Sequence, residues 1–186
     1  MRQSGEKTLI SHPDKITPMI KYRTATTADA RELLQTRYNA VMYNGRDIYP
    51  QEVLQAWVPK ITAETIAAET RSLESADRIT FVAEDCDENT KSKPKIVGLT
   101  TLVVSTSSVW QCYVLADYGG KGIGNRLMDM LEDKAREKGI KKLIISSSLM
   151  AFEFQKKRGF TPLNSYEYAL GDGLSLTCYM MEKELG

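Results

Sequence analysis

From Leu115 to Leu127 the chain reads Leu-Ala-Asp-Tyr-Gly-Gly-Lys-Gly-Ile-Gly-Asn-Arg-Leu, an apolar run that turns through glycines into a helix. Over Gly122–Lys138, Ile123, Leu127, Met130, Leu131 and Ala135 recur at helical spacing and mark a buried face, and Gly139 supplies the stop. The start of a helix leaves backbone N–H groups unpaired and parallel, with about half a positive charge of dipole behind them. Gly119, Gly120, Gly122 and Gly124 let a guest approach that backbone with no Cβ in the way, and Lys121 adds a full charge. The segment is an anion site, and a pyrophosphate is its natural guest. Two familiar phosphate loops do not fit. A Walker A loop needs Lys followed by Ser or Thr after its glycines, whereas Lys121 precedes Gly122. The dinucleotide fingerprint would want a third glycine where Asn125 stands, and an acidic residue where Ser146–Ser148 stand.

Around this feature the pattern alternates between periods of two and of 3.6. Met19–Thr24 reads as a strand. A helix opens at Thr26 or Thr27, carries Leu33, Leu34, Tyr38, Val41 and Met42 as its stripe, and ends at Asn44–Gly45. Helices follow over Gln51–Trp57, stopped by Pro59, and over Thr62–Leu73, with Ile66 and Leu73 facing inward. Strands are expected over Arg78–Glu84, Lys95–Val104, Thr106–Leu115 and Lys142–Ser147, with a polar surface turn across 85–94. A short helix over Leu149–Lys157 and strands near Thr161–Leu170 and Leu174–Lys183 close the chain. The fold expected is an α/β (α+β) domain over residues 19–186 around one mixed, twisted central sheet flanked by helices. Residues 1–18, without periodicity, read as a flexible N-terminal segment.

Composition narrows the chemistry. The single histidine, His12, lies in that opening segment, so triad or Cys–His mechanisms and multi-histidine metal sites have almost no raw material. Cys86, Cys112 and Cys178 lie far apart, with no metal-binding or disulfide spacing, and no metal is expected. With 25 Lys and Arg against 24 Asp and Glu, nothing draws the chain to nucleic acid. No apolar run suits a membrane helix or a secretory signal, so a cytoplasmic protein without a membrane partner is expected.

The same residues carry a resemblance. Asp117-Tyr-Gly-Gly-Lys-Gly-Ile-Gly before an amphipathic helix resembles the acetyl-CoA signature of the GNAT superfamily of N-acetyltransferases. In that pattern, Arg/Gln-x-x-Gly-x-Gly/Ala, Gly119, Gly122 and Gly124 take the key places. Ala151 through Gly159-Phe160 resembles the family's second motif, a short helix ending in Gly-Phe, and Tyr49…Ala56-Trp57 resembles a segment of a poorly characterised bacterial, small-molecule-type subgroup. The resemblance implies a sheet splayed between the Trp110–Leu115 and Lys142–Ser147 strands, with acetyl-CoA as co-substrate in the gap. Its pantetheine arm would pair with the backbone of Tyr113, Val114 and Leu115, and its pyrophosphate would meet Gly120, Lys121, Gly122, Ile123, Gly124, Asn125 and Arg126. Met150 stands where the family often has a pantetheine-contacting Asn.

Gln155 occupies the place of a Tyr that protonates the departing thiolate in many members. An amide can donate a hydrogen bond but cannot act as an acid, so Gln155 is expected to position the thioester. Ile145 stands near the place of a carboxylate that some relatives use as base. Hydroxyls of Ser147, Ser148 and Tyr49 could relay a proton or cap a helix, and both roles stay open. Tyr49 and Trp57 are candidates for the acceptor pocket, with core packing the competing role, and Trp110 has the same ambiguity. The function expected is transfer of an acetyl group from acetyl-CoA to a primary amine of a small molecule, by direct attack. The alternatives are a catalytically weak acyl-CoA-binding regulatory module and a peptide or protein N-acetyltransferase. Oligomeric state stays open, a homodimer included.

Overall fold

In the computed structural model, residues 19–58, 60–86 and 93–186 are described. The expected lead-in with His12, the helix stop at Pro59 and most of the turn over 85–94 lie outside the described residues. Elements follow the order β1 (Ile20–Thr24), α1 (Ala30–Asn44), α2 (Gln51–Trp57), α3 (Ala63–Glu74), β2 (Arg78–Asp85), β3 (Lys95–Val103) and β4 (Ser108–Val114). Then come α4 (Ile123–Glu137), β5 (Lys142–Ser148), α5 (Leu149–Lys157), β6 (Thr161–Gly171) and β7 (Leu174–Glu184). No helix among the described residues is long and apolar enough to cross a membrane.

All seven strands form one mixed sheet, ordered β1-β2-β3-β4-β5-β7-β6. Antiparallel pairs make it up except at β4–β5, which run parallel. β3 is buried at every position after Lys95, as a strand covered on both faces must be. On one face, Phe81, Ala83, Val97, Leu102 and Val109 pack with Ile123, Leu127, Met128 and Leu131 of α4. On the other, Val82, Ile96 and Leu99 meet Leu33 of α1. Gly98 lets α4 lie close, because a Cβ there would sit 3.1 Å from Leu127 and 3.2 Å from Ile123.

The register of β4 makes the opening. Gln111 pairs with Thr101 but Val109 pairs with Leu102, so Trp110 is an extra, bulged residue. A bulge bends and twists its strand. β4 meets β5 only at Ser108↔Ile144 and Val109↔Ile145, and beyond these pairs the two strands part. The sheet is therefore wedged open along Trp110–Val114 on one side and Ser146–Ser148 on the other.

Some local expectations shift. Ser105–Ser107 form the β3–β4 turn instead of extending the strand, because Asp77 takes the Ser105 amide and hydroxyl at 2.7 Å each. In α1 the buried face runs through Ala30, Leu33, Leu34, Ala40 and Val41, leaving Tyr38 exposed. In α3 the buried residue is Glu69, with Ile66 and Leu73 half-buried. In α4 it is Met128, not Met130, that is fully covered.

Candidate active site

Where β4 and β5 part, a cavity of about 620 Å³ runs from the glycine turn to the α1–α2 junction. Its floor is set by the turn's backbone. Gly120 (φ +71°) and Gly122 (φ +79°) hold left-handed conformations that side chains resist, and Gly122 is the residue before α4. The first helical bond is donated by the Arg126 amide to the Gly122 carbonyl, and Gly122 has no side chain to cap with. The amides of Ile123, Gly124 and Asn125 thus have no partner among the described residues, as the first turn of a helix dictates. Gly124 has a packing reason: a Cβ there would lie 3.3 Å from the Phe154 ring of α5. Gly119 has an ordinary φ of −62°.

One edge of β4 faces the gap. The Leu115 amide donates to the Val97 carbonyl of β3, so strand alternation turns the backbone groups of Val114 the other way. The Val114 carbonyl accepts from Asn44 Nδ2 at 3.1 Å. On the opposite wall, Gln155 of α5 is fully buried, yet neither its Oε1 nor its Nε2 has a partner among the described residues. Two unpaired polar atoms in a covered side chain on a cavity wall fit a guest with complementary polar groups.

Most of the residues singled out from the sequence converge here. Tyr113, Val114, Leu115, Gly120, Gly122, Ile123, Gly124, Asn125, Met150, Gln155 and Trp57 line the cavity. Three do not. Lys121 is exposed beside the turn, its Nζ 5.0 Å from the Tyr118 ring, and Arg126 is exposed on α4. Tyr49 is buried behind the wall: its hydroxyl accepts the Leu149 amide at 2.9 Å, capping α5, and its ring meets Trp57 edge-on at 5.8 Å. Met150 also packs against the cluster of Val53 and Leu54. Asn44 and Ile48, which the sequence reading did not single out, also line the cavity, Asn44 beside Val114 and Ile48 toward Trp110 and Gln111. Only the first turn beyond a helix stop at Asn44–Gly45 hinted at them.

Titratable groups on the wall are held neutral. Burial pushes the Cys112 thiol up to about 12. Burial also raises Tyr113, and raises Tyr118 to about 12, where its hydroxyl donates to Asp85 at 2.5 Å.

A mixed sheet wedged open beside a glycine-led helix defines a class, and comparison supplies its family. Residues 46–184 match the model of the acetyltransferase (GNAT) domain. The chain belongs to the GNAT acetyltransferase family. Among solved structures, a GCN5-related N-acetyltransferase from Rhodopseudomonas palustris is 25% identical over 94% of this chain and 99% of its own, with a TM-score of 0.73. The PaiA N-acetyltransferase of Thermoplasma acidophilum, in complex with coenzyme A, shares the fold at 21% identity, over 89% of this chain and 99% of its own, TM-score 0.68. So does YncA of Salmonella typhimurium with acetyl-CoA, at 18% identity, over 90% of this chain and 95% of its own, TM-score 0.63. No curated protein matches the sequence.

Proposed function

We propose that this chain transfers an acetyl group from acetyl-CoA to a primary amine of a small molecule, by direct attack on the thioester. The observation that carries the reading is the wedge: a parallel pair joined at two positions only, with the free amides of α4 at its mouth. When bound, acetyl-CoA supplies an acyl carbon to which the amine nitrogen bonds while the C–S bond breaks, the electron pair leaving with sulfur and the amine's surplus proton going to water.

The chain's own groups do the remaining work. The amides from Gly120 to Asn125, backed by the helix dipole, suit a diphosphate, and Lys121 and Arg126 add positive charge at its rim. The gap-facing backbone of Val114 suits strand-like pairing with an amide-bearing arm. Gln155 Nε2 is a donor with nothing else to bond, suited to fixing the thioester. It supplies no proton, and a general acid is worth about 10²–10⁴-fold. That loss is bearable because a thiol of pKa ~8.5 leaves readily as thiolate. Direct attack is favoured over an acyl-cysteine because the Cys112 thiol, at about 12, is not a nucleophile at neutral pH. Cys86, Cys112 and Cys178 are all free, which suits a reducing cytoplasm.

Calorimetry with acetyl-CoA, followed by thiol release in the presence of primary amines, tests the reading. Heat of binding and amine-dependent thiol release with an N-acetylated product are expected. Gln155 also favours a second reading, an acyl-CoA-binding module without turnover. Tight binding with no amine-dependent release would establish that one instead.

A further inference from the structure

The end of the cavity away from the glycines is where an acceptor would meet the thioester, and its walls are unusual for an amine site. Among the described residues, every side chain lining the cavity is uncharged: no Asp, Glu, Lys or Arg contributes. Ile48, Trp57, Trp110 and Gln111 line the cavity away from the glycine turn. Gln111 is committed, its Nε2 donating to Thr101 Oγ1 at 2.9 Å. Two tryptophans would ordinarily invite a cation onto a ring face. At Trp110 that role is taken, since the guanidiniums of Arg37 and Arg78 already stand over the ring, 5.7 and 4.3 Å from its centroid. Trp57 meets the edge contact with Tyr49 already described. The charges at Trp110 are therefore the two arginines, with the buried Glu69 within electrostatic reach of both, while Glu167 of β6 acts on Tyr49 and Cys178 behind Trp57 without lining the cavity.

Resting on the acetyl-transfer reading, we infer that the acceptor is a weakly basic primary amine on an apolar, ring-sized body, neutral in water near pH 7, and not a polyamine or other alkylammonium ion. Two physical arguments converge. An ammonium ion entering this cavity gives up its hydration with no carboxylate on the lining to pair with directly, and two guanidiniums stand over the Trp110 ring. An alkylamine of pKa near 10.4 is also free base only about once in 2,500 molecules at pH 7, and no wall residue is a base at that pH. Cys112, Tyr113 and Tyr118, the titratable wall groups, all hold their protons more firmly than usual. An amine that arrives neutral needs neither a carboxylate to bind it nor a base to strip it, and the Trp57 indole and Ile48 match an apolar ring.

The test compares aniline, benzylamine and spermidine with saturating acetyl-CoA, read by thiol release and product mass between about pH 6 and 9. At pH 7 the kcat/KM for aniline should exceed those for benzylamine and spermidine by roughly tenfold or more. Aniline should give a flat profile, and benzylamine one that rises about tenfold per pH unit as its free base appears. Gln111→Glu, which keeps a bond to the Thr101 hydroxyl and puts a carboxylate on the wall, should shift preference toward spermidine by roughly tenfold. Preference for spermidine or benzylamine at pH 7 in the wild type, or a limb near neutrality in the aniline profile, overturns the acceptor assignment and leaves acetyl transfer standing. Failure to acetylate any amine by protein that binds acetyl-CoA calorimetrically brings down both.

Discussion

Gln155 is the residue at which the stability of the protein and the proposed acetyl transfer meet. Its amide is wholly buried with no partner for oxygen or nitrogen, and each such orphan costs about 1–3 kcal/mol. Methionine has nearly the same shape and no such need. Gln155→Met should therefore raise the urea midpoint of the protein alone while weakening acetyl-CoA binding, as measured by denaturation with and without the coenzyme. If both fall together, the amide is satisfied in the free protein and its role is structural. The identity of this position was legible from the spacing to Gly159-Phe160, but its burial was not. Burial depends on how α5 seats beside β5, and no local pattern records that. Tyr49 illustrates the same limit. Its hydroxyl was open to a relay or a helix cap and its ring to a pocket or the core, and the fold takes the cap, on the Leu149 amide a hundred positions along the chain, a partner no local pattern names.

At the scale of elements, α4 carries the argument twice. Its start depends on Gly122 at φ +79°, where a Cβ is opposed by the backbone and not by neighbours, since nothing lies within 4 Å of one. Gly122→Ala should cost about 1 kcal/mol of stability and lower coenzyme affinity, read by thermal melts and calorimetry. Its far half is fastened by Glu132, which is 4% exposed and accepts from Arg158 at 2.7 Å and from Lys183 at 2.8 Å. This carboxylate ties α4 to the end of α5 and to β7, which pairs with β5 on one side of the wedge. Glu132→Gln leaves the partly buried Lys183 without a counter-ion, while Arg158 keeps Asp129 at 2.7 Å, and should destabilise by about 3 kcal/mol in urea. Helices α4 and α5 were readable almost to the residue because glycines and a strong apolar period bound them. The bulge at Trp110 was not, because an extra residue in a strand shows only against its partner, and that partner is chosen by the whole sheet.

For the molecule as a whole, stability at low pH depends on a joint far from the cavity. Arg23 of β1 holds Asp29 at 2.7 and 2.8 Å and Glu84 of β2 at 2.5 Å, fixing the entrance of α1 to the outer edge of the sheet. The hydrogen bonds from Arg23 lower the Asp29 carboxyl from 3.8 to about 2. A depressed folded-state value means that the contribution is complete above about 3.8 and is lost as pH falls toward 2. It is on the order of 2 kcal/mol, the carboxylate being largely covered. Asp29→Asn should melt lower than wild type at neutral pH and lose less on acidification between about pH 4 and 2, as scanning calorimetry at stepped pH would register. The sheet's strands followed from period, and the split between β4 and β5 from the family resemblance alone. The joints between layers did not, since they link residues tens of positions apart with no shared pattern. One such joint, the bond from Asn44 to the Val114 carbonyl, latches the helical layer across the threshold of the wedge. An arm that lengthens β4 competes with Asn44 for that carbonyl, so the latch slows admission and hastens departure. Cutting it with Asn44→Ala should quicken coenzyme association and lengthen its stay, which stopped-flow binding would time directly.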